Sequence, residues 1–499
     1  MSSKDPLLSF VIPVYKKSSE VFEKCLRSLF DMSYKRIEVI CVFDGPNEEL
    51  EKVAAKYKTS TFVIDHGGAP KARNFGFTQA TGEYVSFWDA DCYAKPEMGR
   101  MWIEAFKSNP DVDFVYSGYE FANGQGGIAS EPFDPYLLEC GNYIATMFPV
   151  KHSKFPGFDE SLKAGQDWDL WLSVVKNGGK GLFIEGFGFI TEPPDSESIS
   201  GKGWSPENFD STLRLIKAKH GIPQRDIVVG SAGHKAKGLQ IAKLLGADFL
   251  QFPSWRPHNY KCVLNLGYGE DIRFRNAPVD CLKLQYWMPW DIDSVEGVAY
   301  KSAVRVVRNA IKEVDLHLCN EVVSQKRLRN LGIEEGKGIQ AKVIPLPTEI
   351  DDLETALPSE FRVLLNFHDT YKPLFRDLKE MLPYVKMDEL KFMADISQYS
   401  LFISFSPNPT VDEPMRRALL NGRNVISNVQ APYTGNIDMD VTVGPFKDAL
   451  INAIREARTK PFNKAAQDYY KQIADPNKFK ESILGIIREN TKPTLEVVR

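Results

Sequence analysis

The chain has 499 residues, of which 43% are hydrophobic and 26% are charged, with a formal net charge of −4 at pH 7. This composition excludes an intrinsically disordered chain, and the length corresponds to about two to four domains. Residues 225–349 carry 18 Lys and Arg against 14 Asp and Glu, a net charge of +4 that a solvated surface explains at least as well as an anionic partner.

The first 190 residues alternate short β-rich runs with amphipathic runs. In chain order the predicted strands are LLSFVIPVY, IEVICVF and TFVID, and the predicted helices are SEVFEKCLRSLF, NEELEKVAAKY and APKARNFGFTQA. Such alternation predicts the α/β fold class, with a mostly parallel sheet and helices on both faces. The Pro-, Ser- and Gly-rich text that follows residue 190 predicts a linker or a mobile loop.

Strand and helix alternation restarts at Asp226 and continues through two further rounds. The predicted strands include DIVVGSAG, KCVLNLGYG and LKLQYWMPW in the first round, and FRVLLNF, LFISFSP and NVISN in the second. Two Rossmann-like halves are the simplest interpretation. The predicted domains are therefore residues 1–210, 225–355 and 356–499, the last with C-terminal helices.

The seven cysteines are widely scattered, odd in number and never in a CxxC arrangement. This argues against a disulfide framework and against a structural zinc site, and favours a reducing, cytoplasmic location. No stretch approaches the roughly 20 apolar residues of a membrane helix, so we expect no membrane span and no signal peptide.

The stretch FWDADC, residues 87–92, places two acidic residues directly after the hydrophobic run EYVSFW. Parallel sheets bind ligands at the carboxyl ends of their strands, where an Asp-x-Asp pair can hold a divalent cation through oxygen ligands. The alternative is that Asp89 caps a following helix and that Asp91 is a surface residue.

The surrounding stretch GGAPKARNFGFTQATGEYVSFWDADC resembles family 2 glycosyltransferases, the inverting GT-A enzymes that use nucleotide-sugar donors. The resemblance begins at FVIPVYK and IEVICVFDG, ends at FPGFDESLKAGQDWDLWL, and covers residues 7–195. It implies a GT-A, Rossmann-like nucleotide-diphospho-sugar transferase domain. It also implies Mg²⁺ or Mn²⁺ as the cofactor, held by Asp89 and Asp91.

The resemblance further implies a donor site. Its residues would be Pro13, Val14 and Tyr15 at the edge of the nucleotide site, Asp44 on the base, Arg73 on the nucleotide or pyrophosphate, and Asp89 with Ala90 at the diphosphate end. Without the resemblance, Tyr15 could be ordinary packing, Asp44 part of a turn and Arg73 part of a surface ion pair.

The motif GQDWDLWL bears on mechanism. Direct displacement at an anomeric carbon needs a carboxylate that takes the acceptor's proton, and by the resemblance Asp167 is this general base. The alternative is that Asp167 caps the helix that follows it. GFGFITEPPDSESIS has no His where many GT-A enzymes have a later metal ligand, and Glu192 stands near that place. Either Glu192 or water would complete the metal shell, or the dependence on metal is weak.

The C-terminal half resembles, more faintly, the two Rossmann-like halves of GT-B glycosyltransferases. The matching stretch is SPNPTVDEPMRRALLNGRNVIS, in which Arg417 and Pro409 replace the residues usual in that family and Glu413 is displaced from both positions. Three interpretations stay open for this half: a second transferase site, a decayed site that recognises the acceptor, or a structural module.

The function expected from these patterns is transfer of a sugar from a UDP-sugar or other nucleotide-sugar to a hydroxyl acceptor. The acceptor would be a glycan or a lipid-linked saccharide, with the C-terminal half recognising it. A modified, hydroxylated base in nucleic acid is the alternative acceptor, because the middle region is mildly positive and has aromatic clusters around Trp255 and Trp287. A non-catalytic binding protein with a GT-A fold is the rival from another class.

Overall fold

The computed structural model describes residues 5–124, 126–193, 206–231, 234–250, 260–267, 280–288, 292, 314–330, 339–347, 356–367, 372–390, 395–405, 413–429, 431–437 and 443–491. The chain forms two compact units, residues 1–224 and 225–499. Both units alternate strands and helices, which confirms the predicted α/β class.

The first unit, in its described residues, is built on a nine-stranded sheet. The strands are β1 (Leu8–Val14), β2 (Ile37–Asp44), β3 (Ser60–Ile64), β4 (Tyr84–Phe87), β5 (Cys92–Ala94), β6 (Phe114–Phe121), β7 (Gly127–Ile128), β8 (Val150–Lys151) and β9 (Gly181–Thr191). The helices are α1 (Ser19–Asp31), α2 (Glu48–Ala54), α3 (Ala69–Gln79), α4 (Met98–Ser108), α5 (Pro135–Cys140), α6 (Gln166–Lys176) and α7 (Pro206–His220).

The strand order is β3-β2-β1-β4-β8-β6-β9-β5, and β7 pairs with β6. The first four strands of this order are parallel to their neighbours, as are β6 and β9. However, β8 is antiparallel to β4 and β6, and β5 is antiparallel to β9. The expectation of a mostly parallel sheet therefore holds for the first half of this order, whereas the second half is mixed.

Local sequence explains the elements that surround the site. Strand β1 is apolar on both faces and almost wholly buried, as a central parallel strand must be. Helix α1 begins after Ser18, whose hydroxyl accepts from the Val21 amide. Its buried residues recur at the three- and four-residue spacing of an amphipathic helix: Phe22, Cys25, Leu26 and Leu29.

The second unit contains two fully parallel sheets in its described residues. The first has the order β11-β10-β12-β13-β14-β15 and the second has the order β17-β16-β18-β19-β20. The first set of strands is β10 (Ile227–Ser231), β11 (Asp248–Phe249), β12 (Cys262–Leu266), β13 (Leu282–Trp287), β14 (Leu316–Cys319) and β15 (Ala341–Val343). The second set is β16 (Arg362–Phe367), β17 (Lys386–Glu389), β18 (Leu401–Phe405), β19 (Asn424–Ser427) and β20 (Thr434–Asn436).

The helices of the second unit separate its strands or follow them. They are α8 (Lys235–Leu245), α9 (Val322–Asn330), α10 (Lys372–Met381), α11 (Glu413–Leu420), α12 (Val443–Ala457), α13 (Lys464–Ile473) and α14 (Pro476–Asn490). Parallel strands joined through helices are the arrangement expected of two Rossmann-like halves. The resemblance of this unit to GT-B enzymes stays a prediction.

All seven cysteines are buried free thiols. Across the described residues, no helix combines the length and apolar character needed to cross a bilayer. The cytoplasmic location stays a prediction. The predicted linker or mobile loop after residue 190 falls largely outside the described residues, since residues 194–205 are not among them.

Candidate active site

Three parallel strands of the first unit end at the same edge of the sheet. In register, Val14 of β1 lies opposite Phe43 of β2, and Val11 lies opposite Phe87 of β4. The residues that follow or end these strands include Tyr15, Asp44 and Asp89. The fold therefore collects the predicted donor residues at the carboxyl edge, where parallel sheets bind ligands.

Asp44 is the last residue of β2 and only 3% exposed. Its Oδ1 accepts from the Gly67 amide at 2.7 Å, and its Oδ2 accepts from the Gly68 amide at 2.9 Å and lies 2.8 Å from His66 Nδ1. A carboxylate offers about four lone-pair sites, so these partners leave roughly one for a ligand. Asp44 thus orders the loop before α3 through residues 66–68. The alternative in which Asp44 is only part of a turn does not include these contacts.

Tyr15 lies beside that loop and is 44% exposed. Its ring stacks on the His66 imidazole, with centroids 4.6 Å apart and an interplanar angle of 16°. The preceding Pro13 is half-buried and Val14 is 2% exposed, so the Val14 side chain belongs to the core. Tyr15 and His66 therefore present an aromatic face at the predicted nucleotide edge, and a base could stack on its outer side.

Arg73 lies on α3 and is only 6% exposed. Its Nη2 donates to Asp89 Oδ1 at 2.7 Å, and its Nη1 donates to Gln166 Oε1 at 3.0 Å. The guanidinium also lies 5.2 Å from the centre of the Phe158 ring. Arg73 is thus a buried bridge between the Asp-x-Asp turn and the start of α6, rather than part of a surface ion pair.

The Asp-x-Asp turn joins β4 to β5. The Cys92 amide donates to the Asp89 carbonyl at 3.1 Å, which closes the turn around the buried Ala90. Because a strand follows this turn, the alternative in which Asp89 caps a helix is wrong. Burial, and then the neighbouring charge of Asp89, raise the pKa of Asp91, although Lys17 acts in the opposite direction.

The carboxylates of this turn could hold a cation. Asp89, Asp91 and Cys92 each offer a ligand atom, and these atoms lie within 4.8 Å of one another. Burial raises the pKa of the Cys92 thiol well above its ordinary value, so the two carboxylates are the ligands suited to a hard ion. They fit Mg²⁺ or Mn²⁺, which prefer oxygen ligands.

Glu192 lies next to this turn through its backbone, since its amide donates to the Asp91 carbonyl at 3.3 Å. Its side chain, however, accepts from the Tyr93 hydroxyl at 2.6 Å and lies 3.6 Å from Lys24 Nζ. The Glu192 carboxylate thus already has two protein partners. To complete a metal shell, as expected from the sequence, it would have to exchange them for the metal ion.

Asp167 lies in the first turn of α6, directly after Gln166. Its Oδ2 accepts from Asn142 Nδ2 at 2.7 Å, and its Oδ1 accepts from the Trp168 amide at 2.9 Å. Burial raises the pKa of Asp167, against the lowering effects of the Trp168 amide and the Arg73 charge. The N-cap residue of α6 is Gly165, at φ 70°, and not Asp167. Of the capping role considered for Asp167, only its hydrogen bond from the Trp168 amide is present.

A charged cluster joins helix α6 to the end of α7. Asp169 is 2% exposed and lies 2.8 Å from both Lys219 Nζ and His220 Nε2, at the end of α7. Burial opposes ionisation of Asp169, but the hydrogen bonds from His220 and Lys219 outweigh it and lower its pKa. Asp169 therefore has a structural role, since it joins α6 to the end of α7.

Several residues of this site lie outside the predicted set. They are Lys17, His66, Asn142 and Gln166, each of which contacts a predicted residue. Gln166 lies within the quoted motif GQDWDLWL, Lys17 directly follows FVIPVYK, and His66 precedes the Gly-Gly of a third motif. Asn142 had no sequence signal, because it follows α5 in a loop 25 residues before Asp167.

Two groups of predicted residues in the second unit are only partly described. Arg417 is exposed on α11, whereas Pro409 lies outside the described residues. Of the aromatic clusters, Trp255 is likewise outside, and Trp287 is fully buried with its Nε1 donating to His317 Nδ1 at 3.0 Å. Trp287 therefore fills a core rather than offering a stacking surface.

Comparison with known proteins bears on the first unit. Residues 9–154 match the family model of glycosyl transferase family 2. An uncharacterised glycosyltransferase of Rickettsia typhi is 31% identical over 192 residues, which cover 34% of this chain and 59% of the relative. The chain thus spans little more than half the length of that relative.

A second relative is TarS of Staphylococcus aureus, a poly(ribitol-phosphate) beta-N-acetylglucosaminyltransferase. It is 25% identical over 227 residues, which cover 42% of this chain and 39% of TarS. A crystal structure of TarS in complex with UDP-GlcNAc covers 42% of this chain and 66% of that one, at 22% identity and a TM-score of 0.36. The family match over residues 9–154, the relatives named as glycosyltransferases and the sheet edge that carries Asp44 and Asp89 agree on a glycosyl transferase family 2 domain of GT-A fold in the N-terminal part of this chain.

Proposed function

We propose that the chain is an inverting glycosyltransferase that moves a sugar from a nucleoside diphosphate donor to an acceptor hydroxyl. The observation that carries the proposal is the bridge made by Arg73, whose guanidinium contacts Asp89 at 2.7 Å and Gln166 at 3.0 Å. It links the turn suited to a diphosphate with the residue that precedes Asp167, so leaving-group and nucleophile chemistry share one edge of the sheet.

Asp167 is the general base in this proposal. Its raised pKa suits proton acceptance, and the Asn142 amide holds one of its oxygens at 2.7 Å. As the acceptor oxygen forms its bond to the anomeric carbon, its proton passes to Asp167. The bond from that carbon to the diphosphate breaks on the opposite face, and the electron pair leaves with the diphosphate. Attack opposite the leaving group inverts the anomeric configuration.

The donor site lies along the same edge. The base of the nucleotide would stack beside Tyr15 and hydrogen-bond the remaining lone pair of Asp44, and Arg73 would face the pyrophosphate. Asp89 and Asp91 would hold Mg²⁺ or Mn²⁺, which supplies positive charge near the departing diphosphate when bound. A UDP-sugar is the first donor to test, since the relative TarS is by its name an N-acetylglucosaminyltransferase.

The acceptor in this proposal is a hydroxyl of a glycan or a lipid-linked saccharide, recognised by the second unit. TarS, a transferase named for a poly(ribitol-phosphate) acceptor, favours a carbohydrate-like acceptor over nucleic acid. The aromatic argument for a nucleic-acid acceptor is weakened by the burial of Trp287.

The test combines binding with turnover on the full chain. UDP, GDP and their sugars are screened by thermal shift with and without Mn²⁺, and release of the nucleoside diphosphate from each stabilising nucleotide-sugar is then followed. We expect metal-dependent stabilisation by at least one nucleotide, and slow donor hydrolysis that Asp167→Asn abolishes. Asp111→Asn is the matched control, because Asp111 is a surface residue with side-chain exposure of 69%.

Two outcomes would contradict the proposal in different ways. If no nucleotide stabilises the wild-type chain, the donor site is wrong. If a nucleotide-sugar binds but neither hydrolysis nor transfer is detected, and Asp167→Asn changes nothing, the chain is a non-catalytic binding protein with a GT-A fold.

A further inference from the structure

Each aspartate of the Asp-x-Asp turn pairs with a cation from a different part of the domain. Lys17, in the loop between β1 and α1, places its Nζ 2.5 Å from Asp91 Oδ2, whereas Arg73 of α3 pairs with Asp89. The turn therefore carries two carboxylates balanced by two cations. A divalent cation alone would add unbalanced positive charge, and the diphosphate of a nucleotide-sugar alone would add unbalanced negative charge.

The two cations differ in how easily they could release their partners. Arg73 is 6% exposed and is held at the same time by Asp89, Gln166 and the Phe158 ring. The Lys17 side chain is 32% exposed and ends in a point charge on a flexible stem. Lys17 occupies the position from which a cation would contact Asp91, and of the two it is the one that can move.

We propose that Lys17 is a displaceable counter-ion that makes the binding of the divalent cation and of the nucleotide diphosphate interdependent. Without ligands, its ammonium neutralises Asp91 and opposes binding of the cation alone. When cation and nucleotide arrive together, Asp91 exchanges the ammonium for the cation, and the freed Lys17 contacts the diphosphate. This inference rests on the proposed donor site, and it assigns a residue that the family motifs leave out.

The alternative is that the Lys17–Asp91 pair only anchors the loop after β1. In that case loss of the ammonium would loosen the loop that carries Tyr15 and would weaken the binding of every ligand. The two roles predict opposite effects of Lys17 on the affinity for the cation alone. A counter-ion weakens cation binding, whereas an anchor strengthens it by supporting the turn that binds the cation.

The experiment is isothermal titration of Mn²⁺ into the full chain, without nucleotide and with saturating UDP. For the wild type we expect UDP to tighten Mn²⁺ binding at least about fivefold, and Mn²⁺ to tighten UDP binding by the same factor. For Lys17→Met we expect tighter Mn²⁺ binding without nucleotide, by about fivefold or more, and a smaller enhancement by UDP. Circular dichroism and thermal unfolding verify that the variant is folded.

Lys56→Met is the matched control, since it removes the same charge from a surface pair with Glu23 at 3.2 Å. It should leave both affinities unchanged. The proposal is overturned if Lys17→Met binds Mn²⁺ with unchanged or lower affinity, or if Lys56→Met has the same effect. If neither UDP nor GDP binds the wild type, the proposed function fails, whereas the nucleotide-free titration still decides the role of Lys17.

Discussion

The side-chain amide of Asn142 donates to Asp167 at 2.7 Å, and its own oxygen accepts from the Ile144 amide at 3.2 Å. The loop after α5 thus fixes one carboxylate oxygen of the proposed base. With the Trp168 amide on the other oxygen, both are held in place. Asn142 is therefore a positioning residue, which acts on the reaction only through Asp167.

Replacing Asn142 by Ala tests this role. A misplaced base costs rate, so we expect kcat to fall by about 10- to 100-fold while the donor KM stays close to that of the wild type. Steady-state kinetics with the donor identified by the binding screen would measure both. Asn109→Ala is the control, because the side-chain amide of Asn109 likewise donates a hydrogen bond, in this case to the Ala105 carbonyl of α4. Equal losses in the two variants would mean that Asn142 acts on stability alone.

The raised pKa of Asp167 predicts the acid side of the pH dependence. The base works as a carboxylate, so kcat should fall as the pH drops through a pKa above the ordinary value of 3.8. For Asn142→Ala this limb should move to higher pH, because the carboxylate loses a hydrogen bond that favours its charged form. A pH–rate profile of both proteins measures the shift. If any activity that Asp167→Asn retains shows the same acid limb, the group whose protonation causes the limb is not Asp167.

Substitution of Arg73 by Lys tests the bridge between the turn and α6. Lys keeps the charge but cannot contact Asp89 and Gln166 with a rigid fork, so we expect kcat/KM for the donor to fall by roughly 100-fold or more. The thermal midpoint should also drop by several degrees, since the contact is buried. Arg100→Lys is the control, because Arg100 is an exposed residue on α4. A variant with wild-type kinetics would remove Arg73 from the donor site.

The cluster around Asp169 predicts a stability effect that is separate from catalysis. Asp169→Ala would leave Lys219 and His220 without their shared buried partner, which costs about 3 to 5 kcal/mol in comparable cases. Denaturant unfolding of the full chain, followed by tryptophan fluorescence, would report the loss. An Asp111→Ala control should change stability by less than about 0.5 kcal/mol, because it removes only an exposed pair.

The same cluster gives a pH dependence with a definite sign. The pKa of Asp169 is lowered, and that of Asp159, which also pairs with Lys219, is lowered to about 2. Groups with a lowered folded-state pKa stabilise the protein above their unfolded-state pKa and lose that contribution as the pH falls through the folded-state value. The unfolding free energy should therefore decrease below about pH 4, and less steeply in Asp169→Asn.

Much of the first domain could be predicted from the sequence, because its elements depend on local patterns. The apolar run of β1, the Ser18 cap of α1 and the position of Asp89 and Asp91 after a buried strand need no knowledge of distant residues. Four motifs in order were also enough to predict the family. In a parallel sheet the strand ends meet at one edge, so the shared location of Asp44 and Asp89 followed as well.

The partners of these residues were decided only by the tertiary structure. Lys17 meets Asp91 across 74 residues, Arg73 meets Gln166 across 93, and no periodicity or motif encodes such pairs. Burial, which raises the pKa of Asp167 and makes Arg73 a bridge, likewise depends on how α3 and α6 pack. Sequence alone predicted the aspartates of the proposed site; the packing of distant elements decided which cations and amides hold them, because charge and hydrogen-bond partners are set by distance in space and not along the chain.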